Sequence, residues 1–237
     1  MKPSPDGAAT FVLIHGAWHG SWCWERLVPR LHARGHASVV MDLPIEDGTA
    51  TFDTYTTVAL DAMSHATGRV ILVGHSLGAM ILPTIATQRP VHAMVFLCGM
   101  VPKPGGGPWD DGPPMEALGL FDATVTHPDG STTWPTLDAA RAAFYSDCSV
   151  EDATWAFGKL RPYNSSSLFD RPYPLLDMPP IKRVSIVGTL DHTVTLPWSR
   201  HVAATRLGVE PIELPVAHSP FLSRPDLLAD ILIDLVT

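Results

Sequence analysis

The chain has 237 residues, of which 46% are hydrophobic and 17% charged, and its formal net charge is -8 at pH 7. This length and composition exclude an intrinsically disordered chain and predict a single globular domain, residues 1–237, with a large core. The negative charge, with lysine and arginine scattered along the chain, argues against nucleic acid and anionic membranes as partners.

Short apolar runs rich in β-branched residues alternate with helix-length amphipathic segments in the first part of the chain. Alternation of this kind is typical of parallel strands joined by right-handed helical crossovers, and it predicts a doubly wound α/β sheet. The predicted strands are residues 10–14, 38–41, 69–73 and 93–98, and the predicted helices between them are residues 21–34, 55–66 and 77–88.

The alternation stops at residues 102–180, a segment dense in proline, glycine and aromatic residues. Asp129-Gly130 between two threonines predicts a small hairpin turn, and residues 137–145 and 150–160 have helical spacing. We therefore interpret the segment as a mainly helical cap, inserted after the strand that ends near Cys98.

Two further strand and helix units close the chain. Strands at residues 183–187 and 211–214 precede helices at residues 197–207 and 225–235, respectively. Both helices begin with proline, which suits a first helical position because that position needs no backbone N–H. The whole chain thus predicts about six strands in one mostly parallel, doubly wound sheet.

The cysteines Cys23, Cys98 and Cys148 are odd in number and far apart, so they predict neither a disulfide framework nor a Cys-x-x-Cys motif. Residues 1–7 lack the basic and apolar regions of a secretion signal. The longest apolar stretch, residues 93–98, is far below the roughly 20 residues that a membrane-spanning helix needs. We therefore expect a cytoplasmic protein with no membrane partner.

The five residues from Gly74 to Gly78 read Gly-His-Ser-Leu-Gly and stand between a predicted strand and a predicted helix. This is the context of a nucleophile elbow, in which a sharp turn lifts a serine hydroxyl clear of the backbone. Glycines on both sides of the serine allow the strand and the helix to approach closely. We therefore predict that Ser76 is a catalytic nucleophile.

A serine nucleophile needs an imidazole base, and the imidazole needs a carboxylate that holds its tautomer. Asp191 follows the predicted strand at residues 183–187, at the edge of the sheet where catalytic groups collect in open α/β folds. Of the histidines after Asp191, only His218 lies in a loop after the last predicted strand. The sequence thus predicts a catalytic triad of Ser76, His218 and Asp191.

Acyl transfer also requires N–H donors aimed at the developing oxyanion. The predicted donors are the amide of Leu77, directly after the nucleophile, and the amide of Ala17, in the glycine-rich loop after the first strand. His15 and His19 in that loop have the spacing of a zinc pair but lack the surrounding His-Glu-x-x-His helix. We therefore predict no metal site and no cofactor.

The chain resembles the α/β-hydrolase superfamily, and within it the plant methylesterase and hydroxynitrile lyase family and related bacterial carboxylesterases. The resemblance rests on residues 11–24 and 70–78 and on Asp191 with His218, and it covers nearly the whole chain. It implies an α/β-hydrolase fold, with the same triad and the same oxyanion donors that the residues themselves predict.

The leading hypothesis is a carboxylic ester hydrolase that works through an acyl-enzyme. A second hypothesis is a hydroxynitrile lyase that uses the same triad for proton abstraction. Family members resembling the rubber-tree lyase have a threonine and a lysine where this chain has Gly16 and Ser219. Without the lysine, no fixed cation stabilises departing cyanide, so the sequence favours the esterase. A third hypothesis is a ligand-binding relative that has lost turnover.

The expected partner is a small, largely apolar ester or lactone held between the sheet and the cap. Methyl esters, aryl esters, lactones and biosynthetic intermediates are all open as substrates, because selectivity depends on the geometry of the cap. The residues predicted to line the substrate pocket are Trp18, Met100, Trp109, Trp134, Phe144, Trp155 and Phe221.

Overall fold

The computed structural model describes residues 8–106, 112–117, 119, 121–170 and 172–236. Its strands are, in chain order, β1 (Ala9–Ile14), β2 (Ala37–Val40), β3 (Arg69–His75), β4 (Ala93–Leu97), β5 (Val125–Thr126), β6 (Thr132–Thr133), β7 (Lys182–Gly188) and β8 (Ile212–Leu214). Six of them form a parallel sheet in the order β2-β1-β3-β4-β7-β8, whereas β5 and β6 form a separate antiparallel hairpin.

Helices connect the strands and flank the sheet. The α-helices are α1 (Val28–Ala33), α2 (Phe52–Ala62), α3 (Leu82–Gln88), α4 (Leu137–Phe144), α5 (Val150–Phe157), α6 (Leu196–Val202), α7 (Pro220–Ser223) and α8 (Pro225–Asp234). Three short 3₁₀-helices cover Ser21–Trp24, Ser76–Ile81 and Phe121–Ala123. Within the described ranges, no helix is long and apolar enough to cross a membrane.

The central strands are buried along almost their whole length. Every residue of β1 and β4 is buried, as is every residue of β3 after Arg69. Continuous apolar strands are expected where helices cover both faces of a parallel sheet. Each fully buried leucine, isoleucine or phenylalanine contributes about 1.5–3 kcal/mol to folding. The predicted six-stranded α/β sheet is therefore confirmed, and its physical basis is burial on both faces.

Two predicted helices are broken at prolines. The segment predicted as one helix at residues 21–34 forms a 3₁₀-helix and then α1, which has Pro29 in its first turn. The segment predicted at residues 77–88 likewise divides into a 3₁₀-helix and α3, which has Pro83 in its first turn. A proline ring clashes with the carbonyl four residues earlier, so a continuous α-helix cannot pass through it.

The insertion between β4 and β7 contains the hairpin of β5 and β6 and the paired helices α4 and α5. Thr126 pairs with Thr132 in the hairpin, as the predicted turn at Asp129-Gly130 requires. A hydrogen bond joins the insertion to the loop after β1. In it, Nε1 of Trp18, in the loop, donates to the carbonyl oxygen of Thr132, in the insertion, at 3.2 Å. The insertion therefore covers the edge at which the strands of the sheet end.

Candidate active site

Three residues other than glycine have positive φ angles in the described part of the chain, and each lies in a turn after a strand. They are Trp18 after β1 (57°), Ser76 after β3 (50°) and Cys98 after β4 (42°). Because these strands are parallel, the three turns lie at one edge of the sheet. Left-handed backbone at such residues costs of order 1–3 kcal/mol and clusters at functional sites. This edge is therefore the candidate active site.

The turn around Ser76 depends on the glycines at both of its flanks. A Cβ atom on Gly74 would lie 2.5 Å from Cα of Ala79, and a Cβ on Gly78 would lie 2.4 Å from the His15 carbonyl oxygen. No real Cβ contact is that short, so the strand, the following helix and the loop after β1 meet at distances that only glycine permits. The geometry of a nucleophile elbow is thus present.

Asp191 and His218 form a buried hydrogen-bonded pair. Nδ1 of His218 donates to Oδ2 of Asp191 at 2.8 Å, and the two side chains are 1% and 0% exposed. Oδ1 of Asp191 accepts hydrogen bonds from the backbone amides of Thr193 and Val194. A carboxylate held by two amides and one imidazole fixes that imidazole with its proton on Nδ1 and leaves Nε2 as an acceptor.

The loop that carries His218 is held against the end of β7. A Cβ on Gly188 would lie 2.4 Å from the Val216 carbonyl oxygen, so glycine is required where the two segments cross. The amide of Leu190 donates to the same carbonyl at 3.0 Å, and the amide of Ala217 donates to Oδ2 of Asp147 at 3.0 Å. These contacts place the imidazole of His218 beside the carboxylate of Asp191.

Ser76 and His218 are joined through His75. Nε2 of His75 donates to the carbonyl oxygen of His218 at 2.9 Å, and the two imidazole ring centres lie 4.6 Å apart. Among the described residues, this bond links the elbow to the loop, and no hydrogen bond joins the Ser76 hydroxyl directly to the His218 imidazole. Catalytic hydrogen bonds are often long without substrate and tighten when it binds.

Buried histidines support the loop after β1. His15 donates from Nδ1 to the Gly16 carbonyl and accepts at Nε2 from the Leu43 amide. His19 donates from Nδ1 to the Ala17 carbonyl and accepts at Nε2 from the Tyr145 hydroxyl. Burial lowers the pKa of His15 to about 4 and that of His19 to about 3, so both are neutral. With both nitrogens engaged, neither ring presents a metal ligand.

The predicted oxyanion donors lie beside the nucleophile. Ala17, Leu77 and Ser76 line one cavity of about 290 Å³. Leu77 is the second residue of a 3₁₀-helix, where backbone amides have no partner within the helix. Among the described backbone hydrogen bonds, the Ala17 amide donates none. Both amides thus have the capacity to donate to a ligand.

The cavity is mostly apolar, and the hydroxyls of its three threonines are engaged with backbone carbonyls. Hydroxyls of Thr124, Thr132 and Thr193 donate to the carbonyls of Phe121, Tyr163 and Ala143, respectively. The lining residues are Ala17, Trp18, Ser76, Leu77, Met100, Met115, Phe121, Thr124, Thr132, Tyr163, Ser165, Phe169, Thr193 and Val194. No lysine, arginine, aspartate or glutamate is among these described lining residues.

The structure brings only part of the predicted pocket to this cavity. Trp18 and Met100 line it, and Trp109 lies outside the described residues. The other predicted lining residues are packed elsewhere and do not line the cavity. They are Trp134, Phe144, Trp155 and Phe221.

Aromatic packing explains this difference. Trp134 and Phe144 pack behind Trp18, with ring centres 5.5 and 5.8 Å from it, and Phe221 packs on His75 at 4.8 Å. Trp155 lies outside the cavity, where the ammonium of Lys159 sits 4.4 Å from its ring centre. Trp134 and Phe144 thus support the Trp18 wall of the cavity from behind, and none of these four rings is part of its surface.

Several lining residues were not predicted from the sequence. Thr193 and Val194 adjoin Asp191, and that adjacency was a usable signal. Phe121 stacks on Trp18 at 5.7 Å, and Tyr163 meets Trp18 edge-on at 4.9 Å. Nothing in the local sequence distinguishes these two aromatic residues from others in the insertion, because only the path of the insertion brings them to Trp18.

Comparisons with known proteins show the family and the fold of the chain. The family model described as "Alpha/beta hydrolase family" matches residues 11–231. Esterase PIR7B of Oryza sativa subsp. japonica is 28% identical over 99% of this chain and 98% of its own length. Pyrethroid hydrolase of Sphingobium wenxiniae is 28% identical over 94% of this chain and 86% of its own. The crystal structure of a pyrethroid hydrolase from Sphingobium faniae is 26% identical, has a TM-score of 0.81 and covers 97% of both chains.

Proposed function

The chain belongs to the alpha/beta hydrolase family, and on that premise we propose that it hydrolyses carboxylic esters of small, largely apolar molecules. The family match agrees with the resemblance noted in the sequence. Relatives named as esterase and pyrethroid hydrolase support ester cleavage as the general activity. The observation that carries the proposal is the buried hydrogen bond of 2.8 Å between His218 and Asp191, at the edge of the sheet that also presents Ser76.

In the proposed mechanism, the hydroxyl oxygen of Ser76 attacks the ester carbonyl while Nε2 of His218 takes the hydroxyl proton. Asp191 keeps the imidazole in the required tautomer and stabilises the imidazolium that forms. The amides of Ala17 and Leu77 stabilise the oxyanion. His218 returns the proton to the departing alcohol, and water then attacks the acyl-enzyme, with His218 again as the base, to release the acid.

The cavity supports a neutral, apolar substrate. Its described lining includes no charged side chain, and several of its hydroxyls are committed to backbone carbonyls. A carboxylate or ammonium group on the substrate would lose hydration without gaining a partner, at a cost of several kcal/mol. Selection by size and shape therefore dominates, and a volume of about 290 Å³ suits a small molecule.

The contacts of Gly16 support the esterase over the cyanohydrin lyase. A Cβ on Gly16 would lie 2.8 Å from Cβ of Ser76 and 3.2 Å from the His75 carbonyl oxygen. A threonine, which the resembling lyases carry at this position, therefore does not fit between the loop and the elbow. The intact hydrogen-bonded pair of His218 and Asp191 argues likewise against a binding protein that has lost turnover.

The test is hydrolysis of p-nitrophenyl acetate by the wild-type chain and by Ser76→Ala. We expect the variant to lose at least about 10³-fold in kcat, since removal of a triad nucleophile leaves only residual catalysis. A fluorophosphonate should label the wild-type chain at Ser76, and the variant should not react. Turnover retained by Ser76→Ala would refute the mechanism, and cyanide release from mandelonitrile without ester cleavage would select the lyase.

A further inference from the structure

A thiol that the proposed reaction does not use lies beside Asp191 and His218. Cys98 is 1% exposed, and its Sγ lies 3.9 Å from the Ala217 carbonyl oxygen. Sγ of Cys98, a carboxylate oxygen of Asp191 and a ring nitrogen of His218 all lie within 4.8 Å of one another. Across the described ranges, this is the one group of three or more such side chains close enough to share a cation.

The spacing of these three atoms suits a single metal ion. Zinc binds sulfur at about 2.3 Å, imidazole nitrogen at about 2.0–2.1 Å and carboxylate oxygen at about 2.0–2.2 Å, so in a tetrahedral site two ligand atoms lie about 3.4–3.6 Å apart. Ligand atoms within 4.8 Å of one another reach that range through side-chain shifts of up to about 1 Å. Thiolate, imidazole and carboxylate together are a ligand set that zinc accepts.

The charges around Cys98 also favour a cation. Asp191 and Asp147 both lie near enough to act electrostatically on Cys98. A divalent cation is attracted by these carboxylates and stabilises a thiolate directly.

We propose that Cys98, Asp191 and His218 form an inhibitory binding site for a thiophilic divalent cation such as Zn²⁺. On binding, the thiol releases its proton to solvent, and the thiolate, the carboxylate and Nδ1 of His218 become ligands. The proton that Nδ1 donated to Asp191 moves to Nε2 of the same ring. A ring protonated at Nε2 cannot accept the Ser76 proton, so the bound ion stops turnover.

The inhibition rests on the proposed function, whereas the binding of the cation does not. The activity test measures the Zn²⁺ concentration for half-inhibition of p-nitrophenyl acetate hydrolysis, with each variant normalised to its own activity without metal. Cys98→Ala should raise this concentration at least about tenfold, because a ligand is lost. Cys23→Ala and Cys148→Ala remove the other two buried cysteines and should leave it within about twofold of the wild-type value. Mg²⁺, which prefers oxygen ligands, should not inhibit.

A spectroscopic test does not depend on turnover. Co²⁺ added to Ser76→Ala should give thiolate-to-cobalt charge-transfer absorption in the near ultraviolet, and the double variant with Cys98→Ala should lack it. Cys98→Ser, of similar size, replaces Cys98→Ala if thermal unfolding shows that the alanine variant is not folded. Absence of the cobalt band, or equal Zn²⁺ inhibition of Cys98→Ala and the wild type, would overturn the proposal. If the wild-type chain has no esterase activity while Ser76→Ala gives the cobalt band, the proposed function is refuted and the metal site stands.

Discussion

Nε2 of His75 donates a hydrogen bond to the carbonyl oxygen of His218 across 143 residues of sequence, at 2.9 Å. The residue before the elbow serine therefore anchors the backbone of the proposed base. Burial lowers the pKa of His75 well below its usual value, so this ring is a neutral donor and not a second base. The proposed nucleophile and base are thus coupled through a side chain that takes no part in proton transfer.

This coupling predicts that His75→Leu lowers both stability and kcat. The substitution leaves the buried His218 carbonyl without a partner, which costs about 1–3 kcal/mol. Urea unfolding measures the loss of stability. Ester hydrolysis, under conditions where the variant is folded, measures the fall in kcat. His65→Leu, at an exposed position, is the control. If both variants behave like the wild type, the hydrogen bond does not position the loop.

A second prediction concerns the hydrogen bond between the Tyr145 hydroxyl and Nε2 of His19. Tyr145→Phe removes the donor while His19 still holds the Ala17 carbonyl, so the loop with the predicted oxyanion donor loses one support. We expect a stability loss of about 1–3 kcal/mol and a fall in kcat of up to about tenfold, with KM little changed.

Tyr55→Phe is the matched control for this change, because the buried Tyr55 hydroxyl has no hydrogen-bond partner among the described residues. It should retain the wild-type kcat and stability within about 0.5 kcal/mol. Equal kcat values for Tyr145→Phe and the wild type would contradict a positioning role for this tyrosine.

The elbow glycines give a third prediction. Gly78→Ala places a Cβ 2.4 Å from the His15 carbonyl oxygen and 2.7 Å from that of Ile14. Overpacking of this kind costs about 1–3 kcal/mol or more and would displace the Ser76 turn, so activity should fall steeply. Gly158→Ala, where the nearest atoms lie at 3.7 Å, should be tolerated. The two variants are compared by thermal unfolding, which measures stability, and by kcat/KM, which measures activity.

The buried histidines predict how stability depends on pH. Their pKa values fall from 6.5 to about 4 for His15 and about 3 for His19 on folding. Below pH 6.5 the unfolded chain therefore binds protons that the folded chain does not, and stability is lost as the pH falls. Each of these two histidines should lower the free energy of unfolding by about 1 kcal/mol between pH 6 and pH 5.

Urea unfolding at pH 6 and at pH 5 measures this loss of stability. The substitution His15→Gln should reduce it by about 1 kcal/mol, whereas His65→Gln, at an exposed position, should not change it. A loss that is the same in all three chains would mean that His15 does not titrate as described.

A fifth prediction separates the observed lining of the cavity from the lining predicted from the sequence. Phe121 lines the cavity and stacks on Trp18, whereas Trp155 lies outside it. Phe121→Ala should raise kcat/KM for longer acyl chains relative to acetate, because the pocket gains volume; one methylene changes discrimination by about 1–3 kcal/mol. Trp155→Ala should leave this ratio unchanged. A p-nitrophenyl ester series tests both, and the opposite pattern would favour the sequence-based assignment.

The sequence alone determined the alternation of strands and helices and the position of Ser76, Asp191 and His218 at strand ends. These features are local, since the period of apolar residues defines each element and parallel strands place their carboxyl ends at one edge. Prolines inside two predicted helices were visible in the sequence as well. The two helices are broken there because a proline clashes with the carbonyl one turn earlier, which is a local contact.

Only the tertiary structure decided which aromatic residues line the cavity, how His75 reaches the His218 carbonyl and that Cys98 adjoins Asp191. Each of these contacts joins segments distant in the chain, and a side chain's neighbours there depend on how the insertion and the loops pack. Phe121 and Trp155 are both aromatic residues of the insertion, yet one faces the cavity and the other packs outside it. Local patterns specify the elements, whereas long-range packing specifies which atoms meet between them.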